Sequence, residues 1–599
     1  RRFTRNSPPA PTSQPRSRPR RDITSAMSQF NFYLPSAQWL PEHHRPCLLA
    51  TDVMESPIPS QIKWEADRLT VSLLEQDACR VHALVATPSG AAVLLPTVWL
   101  FPQWRPYRLE LELLRGLVSR LRRGRELWLS NGLPVPTAFS SDLQQLTKDF
   151  LAEWRRQNEP DAAPRLWPLL ERGYQLLQQL PQTLADAQGA DLFQPIGPAT
   201  PASSATSASS ATANSPATSK PTAGSAAPSP QTPSPPTSAT PQGKFSLGLR
   251  LEPQDLLGAS LSHPSHPTAA ANSSDASQRL GTLLQSAQLT WVQVGQDWKT
   301  LLKPATSAGE SSASADTHPT GHPADSIDDL VPSVHSLRQA GRQIIWGPLL
   351  AIQDNCLPAG MKIGPDGQLL NEAFAAHLRQ HLPLFAPQCD LLHVVSGING
   401  VGVAGLTPTI QYNLVRSALE LVASLSPQTP TMISFAQPLG ERLGWSVGGQ
   451  HPDQFLAKLA KERAPIKAIG LELDLGYFPT GTLPRDPLQW VMELQHWSVW
   501  GVPVLVLLRV PSRPSEDGKR RTFAPAGAAT PTEHDQQQCI TEFTRLLSAL
   551  PWIHGVIYSQ WSDAPGRYGD SGLVTTAGHP KPFLQHWVPR ADSPSGSNT

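Results

Sequence analysis

Hydrophobic positions along the chain fall into three regimes. Between Gln29 and Trp99 apolar residues come in short runs broken by turn residues. DRLTVSLLEQ, CRVHALVATPSG and AAVLLPTVWLF read as strands, with PSG as the turn between the last two. A small antiparallel β-domain is the expectation. From Tyr107 the period lengthens. Leu109, Leu111, Leu113, Leu114, Leu117, Val118 and Leu121 form a helical stripe, with Arg120, Arg122, Arg123 and Arg125 opposite it. The arginine cluster reads as a solvated face near a helix C-terminus, where cations complement the dipole; an anion grip is the sharper alternative. Two more helices follow, SSDLQQLTKDFLAEWRRQ, opened by a Ser141 or Asp142 cap, and APRLWPLLERGYQLLQQLPQTLADA.

From Phe245 onward β-type runs alternate with helical ones. The strands are KFSLGLRLEP, the start of LTWVQVGQDWKTLLKP, GRQIIWGPLLAI, CDLLHVVSGI, TPTMISFAQ, KAIGLELDL, GVPVLVLLRV and IHGVIYSQWS. Eight strands in about 345 residues, nearly all separated by helices, predict an α/β fold, a (β/α)8 barrel. An open dinucleotide-binding sheet is disfavoured, because no GxGxxG opens a helix after a strand. The layout expected is a basic extension over 1–27, a β-rich domain over 28–105, a helical segment over 106–190, a disordered Ala/Ser/Thr/Pro linker over 191–243, the barrel over 244–590 and a tail over 591–599.

Composition changes this picture in a few places. The chain has 599 residues, too many for one core, and its 63 prolines gather in tracts that cannot pack. A net charge of +1 argues against a nucleic-acid binder. Five scattered cysteines without a CxxC pair support neither a zinc site nor a disulfide framework, and His451 stands in a loop without a second ligand at metal-site spacing. No cofactor motif is present. No apolar run approaches the ~18 residues of a membrane helix. The seven arginines before Met27 are followed by no apolar signal core, so a cytoplasmic location is expected and MSQFNFYLP is a credible start. The oligomeric state is not legible.

The barrel half resembles glycoside hydrolase family 10, the retaining endo-β-1,4-xylanases. WKTLLKP (Trp298 to Pro304) resembles its Lys-Trp-x-x-x-x-Pro region, GPLL (Gly347 to Leu350) its Gly-His-x-Leu strand, and GVPVLVLLRVPS its Gly-x-Pro-x-x-x-Thr-Glu strand. QWSDAPGRYGDSGLVTTAGHPKPF resembles the closing Trp-x-x-x-Asp … Gly-Leu … Pro-Lys-Pro. The resemblance implies a barrel acting on β-linked polysaccharide such as xylan. Retaining hydrolysis needs two carboxyl groups about 5–5.5 Å apart. Here Ser396-Gly397 stand where the family has Asn-Glu after strand four, Leu507 or Leu508 stands at the strand-seven Glu, and Pro348 replaces the strand-three His. Asn371-Glu372 has the right dipeptide but opens a helix before strand four.

Active sites of this fold lie at the C-terminal ends of the strands. Glu472, Glu441 and Asp474 are therefore the catalytic candidates, and Trp561, Asp563 and Trp298 the substrate-binding ones. Glu472 and Asp474 fall on one face if their strand continues that far. The competing reading pairs one of them with Arg442, Lys467 or Arg509 and uses the other to cap a loop. Trp490, Trp497 and Trp500, at helical spacing, are expected to pack in the core. A polysaccharide-binding barrel that has lost hydrolysis, a working hydrolase with a relocated carboxylate pair, and an interaction scaffold are the three functional expectations; a carbohydrate is the partner, with neither nucleic acid nor membrane.

Overall fold

The computed structural model describes residues 27–187, 245–258, 275–295 and 327–588, together with Leu192 and less short stretches between elements. The amino-terminal part holds eight strands: β1 (Met27–Tyr33), β2 (Leu49–Thr51), β3 (Pro57–Ile58), β4 (Ser60–Trp64), β5 (Arg68–Leu74), β6 (Arg80–Ala86), β7 (Ala92–Pro96) and β8 (Tyr107–Arg108). They form two four-stranded sheets, β4-β5-β1-β8 and β3-β2-β6-β7. Strand β5 alternates as its pattern requires, with Leu69, Val71 and Leu73 buried. Strand β1, absent from the strands predicted above, pairs with β5 along its whole length; Phe30 and Phe32 supply its buried face. Only those two of its seven residues are buried, and Met27 and Tyr33 at its ends are exposed, so no alternation marks it in the sequence.

Three helices follow: α1 (Leu109–Ser130), α2 (Thr137–Arg155) and α3 (Ala162–Ala187). Helix α2 begins one turn earlier than expected, after Pro136, which fixes its own φ near helical entry. Ser141 and Asp142 therefore lie inside the helix rather than at its cap. The Ser141 hydroxyl donates to the Ala138 carbonyl.

The barrel consists of β9 (Ser246–Leu251), β10 (Leu289–Val294), β11 (Gln343–Trp346), β13 (Leu391–Ser396), β14 (Thr431–Ala436), β15 (Ala468–Asp474), β17 (Val504–Arg509) and β19 (Ile553–Tyr558). Short strands β12 (Leu350–Ala351), β16 (Tyr477–Phe478) and β18 (Arg521–Thr522) decorate it. Each barrel strand pairs in parallel with the next, and β19 returns to β9, so the sheet closes on itself. This is the eight-stranded parallel barrel expected. Alternate residues split between two cores. Ile345, Leu391, Met432, Ala468, Leu505, Leu507 and Ile557 fill the interior, while residues such as Leu249, Val292, Leu471 and Leu508 face the helices outside.

The two halves are packed together. One hydrophobic core runs through α1, α3, the barrel helices and the outer faces of the strands. A second, smaller core joins Cys47, Leu49, Leu84, Ala92 and Leu94 of the β-domain to Leu483 in the segment after β15, with Phe478 against it. The Leu94 amide donates to the Pro484 carbonyl. The β-domain thus rests on the loops that leave β14 and β15, at the C-terminal mouth of the barrel.

Candidate functional site

The chemistry expected at the mouth depends on which side chains point inward. On β15 these are Glu472 and Asp474, one alternation apart and both buried. On β17 the inward position beside Glu472 is Leu507, its register partner; Leu508 faces the helices. The strand-seven position of the family pattern is apolar in either alignment, and only Leu507 lies inside the barrel.

Glu472 is the end of a directed hydrogen-bond chain. Its Oε1 accepts from Ser396 Oγ at 2.7 Å, the Gly397 amide at 2.8 Å and Ser434 Oγ at 2.5 Å. A bulge between His393 and Val395 shifts the β13 register and turns Ser396 inward. Since Ser434 gives its proton to Glu472, its oxygen is the acceptor for His393 Nε2 at 2.8 Å. That leaves His393 Nδ1 to accept from Gln293 Nε2 at 3.0 Å, and the same amide donates to the Gly347 carbonyl at 2.9 Å. The neutral Nε2–H tautomer follows from the network. Burial, reinforced by the Arg250 charge, pushes the His393 pKa down to about 3.

This order of groups limits the chemistry. In a nucleophilic triad the imidazole stands between hydroxyl and carboxylate and takes the hydroxyl proton. Here the hydroxyl stands between imidazole and carboxylate, and the imidazole is the donor. Ser434 is not activated by His393.

The other candidate carboxylates each hold a cation. Asp474 pairs with Arg509 at 2.8 Å, opposite it in register, which is the pairing the competing reading anticipated. Glu441, fully buried in the turn after β14, pairs with Arg485 at 2.6 Å. It lines the cleft between the β-domain and the barrel, and Glu472 does not, so the two proposed catalytic acids belong to separate places. Asp563 accepts from Lys581 Nζ and from the Gly572 amide, both at 2.8 Å. All three residues lie in the closing stretch, Asp563 two residues after Trp561 rather than four, and together they clasp the last loop. Gly572 is required there, because a Cβ would lie 2.2 Å from the Asp563 amide nitrogen.

The aromatic candidates fare differently. Trp561, expected as a sugar platform, is 4 % exposed and belongs to the outer core, so its ring offers no open face for stacking. Trp490 and Trp497 are buried, as their helical spacing predicts, and Trp500 packs against the same core. Trp298 lies outside the described residues. Asn371 and Glu372 sit in a helix, Gln368–Phe385. His451 caps the helix Pro452–Lys461, its ring accepting from the Asp453 amide. Among the described residues no cluster of His, Cys, Asp and Glu is arranged to hold a metal ion, and no helix is long and apolar enough to cross a membrane.

The residues not anticipated are Gln293, His393 and Ser434. Each is a polar residue inside an apolar strand run, LTWVQV, LLHVVS and TMISFA, at an inward position. That interruption was the available signal.

The chain matches no family model and no curated protein sequence. Among solved structures it is similar to GH10 xylanase barrels at low identity. Xylanase 10B from Thermotoga petrophila, in complex with xylobiose, is 12 % identical, with 57 % of this chain and 92 % of that one covered and a TM-score of 0.37. A GH10 endoxylanase from a sugarcane soil metagenome gives 13 %, 57 %, 96 % and 0.37. An intracellular xylanase from Thermoanaerobacterium saccharolyticum, as a mutant with xylotriose, gives 14 %, 58 %, 95 % and 0.37.

Proposed function

We propose that the chain is a xylanase-like barrel that binds β-linked polysaccharide, xylan being the test case, without hydrolysing it. The glycan part of this reading rests on the sequence motifs shared with family 10. The loss of hydrolysis rests on one observation, that Glu472 stands beside Leu507. A retaining glycosidase places two carboxyl groups across the scissile bond. In this chain the neighbouring interior position on β17 is a hydrocarbon, and Asp474, one alternation further, is tied to Arg509.

The test is hydrolysis of xylan and of aryl β-xylosides, alongside retardation of the protein in xylan-containing native gels. The expected outcome is retardation with no turnover. Turnover abolished by Glu472→Gln would instead establish a working hydrolase with a rebuilt site. Absence of both turnover and retardation would leave the barrel as an interaction scaffold.

A further inference from the structure

Arg120 was expected on a solvated helix face, yet its side chain is only 11 % exposed. Its Nη1 donates to Asp486 Oδ2 at 2.6 Å and to Gln489 Oε1 at 3.2 Å, both on the barrel. Its remaining edge, Nε and Nη2, is buried without a hydrogen-bond partner among the described residues. These two groups are the side-on fork with which a guanidinium grips an oxyanion through two parallel bonds. A buried donor left unmade costs about 1–3 kcal/mol, so such edges are seldom left empty in folded proteins.

Arg120 borders a cleft of about 480 Å³ between the β-domain and the barrel, a size usual for small-molecule sites. Arg80 on β6 and Arg485 on the barrel line the same space. These guanidiniums converge on His82: burial, then Arg485, Arg80 and Arg120, push its pKa down to about 3. Arg485 is balanced by Glu441 and Glu493, and Arg120 by Asp486, while Arg80 and Arg123 add two further cations to the lining. Across the cleft Glu441 spends one oxygen on Arg485 and keeps Oε2 buried without a hydrogen-bond partner among the described residues. Pro57, Pro96, Val98, Leu439 and Met492 supply an apolar wall.

We propose that this inter-domain cleft binds a small hydroxylated oxyanion, a carboxylate or a phosphate ester, with the anion on the Arg120 fork and a ligand hydroxyl donating to Glu441. A bare anion would leave the Glu441 oxygen unmatched, and a neutral polyol would leave the Arg120 fork unmatched. The site lies apart from the Glu472 network and does not depend on the barrel binding a polysaccharide.

The test is titration calorimetry on the full chain with glucuronate, glucose 6-phosphate, inorganic phosphate and glucose as probes. Saturable binding of glucuronate or of glucose 6-phosphate is expected, the tighter one naming the anion, with inorganic phosphate weaker and glucose silent. Arg120→Lys keeps a cation beside Asp486 but removes the fork, and should weaken binding at least about tenfold. Ser119→Trp, at an exposed helix position on the rim of the cleft, should abolish binding with the melting temperature unchanged. Failure of both glucuronate and glucose 6-phosphate to bind would overturn the proposal. So would affinity unaltered in Ser119→Trp, or glucose binding as tightly as its phosphate.

Discussion

At the scale of single residues the barrel interior is specified by who donates to whom. Ser434 gives its proton to Glu472 and takes one from His393, so its removal strands the His393 Nε2–H and takes one of three donors from Glu472 Oε1. Ser434→Ala should destabilise the protein by about 1–3 kcal/mol, the range for a buried group left unsatisfied, as read from urea denaturation midpoints. His393 and His82 give a second handle. Both have folded pKa values near 3 against 6.5 for the free side chain, so both are neutral in the folded protein and take up protons on unfolding. Between those limits the unfolded chain binds more protons, which means stability rises with pH. Their contribution is fully present above pH ~6.5 and is lost as pH falls toward 3. Denaturation midpoints measured at pH 7.5, 5.5 and 4.5 should fall in that order, with a shallower slope in the double variant His82→Gln/His393→Gln.

At the scale of elements, what could be read in advance was whatever repeats. Each barrel strand was legible because its apolar run sits between helical patterns, and the stripe on α1 because seven apolar residues keep the helical period. What escaped was local exception or long-range partnership. The bulge after His393 is one extra residue in a ladder, and no hydropathy pattern marks it, yet it decides that Ser396 reaches Glu472. The Arg120 face looked solvated because its partner, Asp486, lies in a remote part of the sequence. Periodicity tells which face of a helix is apolar; it does not say whether the polar face meets water or another domain. The seating of α1 shows the same dependence. A Cβ at Gly116 would fall 2.0 Å from the Pro96 carbonyl oxygen of β7, a backbone atom that cannot step aside. Gly116→Ala should therefore cost about 1–3 kcal/mol through overpacking, despite the better helix propensity of alanine, and should lower the thermal midpoint measured by circular dichroism.

At the scale of the whole molecule the two halves behave as one object. The principal core passes from α1 and α3 into the barrel helices without a break, and buried ion pairs such as Arg120–Asp486 cross the same boundary. Thermal unfolding is expected as a single transition, with the calorimetric and van't Hoff enthalpies equal for a chain carrying both halves. Two separated transitions would show that the β-domain and helices are a module merely leaning on the barrel.

The small core under the β-domain has a consequence in time as well as in space. Cys47, Leu49, Leu84, Ala92 and Leu94 are synthesised early, but Leu483 and Phe478, which close over them, emerge only after six barrel strands have been made. Until then the apolar face of the β3-β2-β6-β7 sheet lacks the two residues that close over it. A ribosome translating this protein carries an unfinished domain through most of the message, and that is the interval in which a chaperone has something to hold.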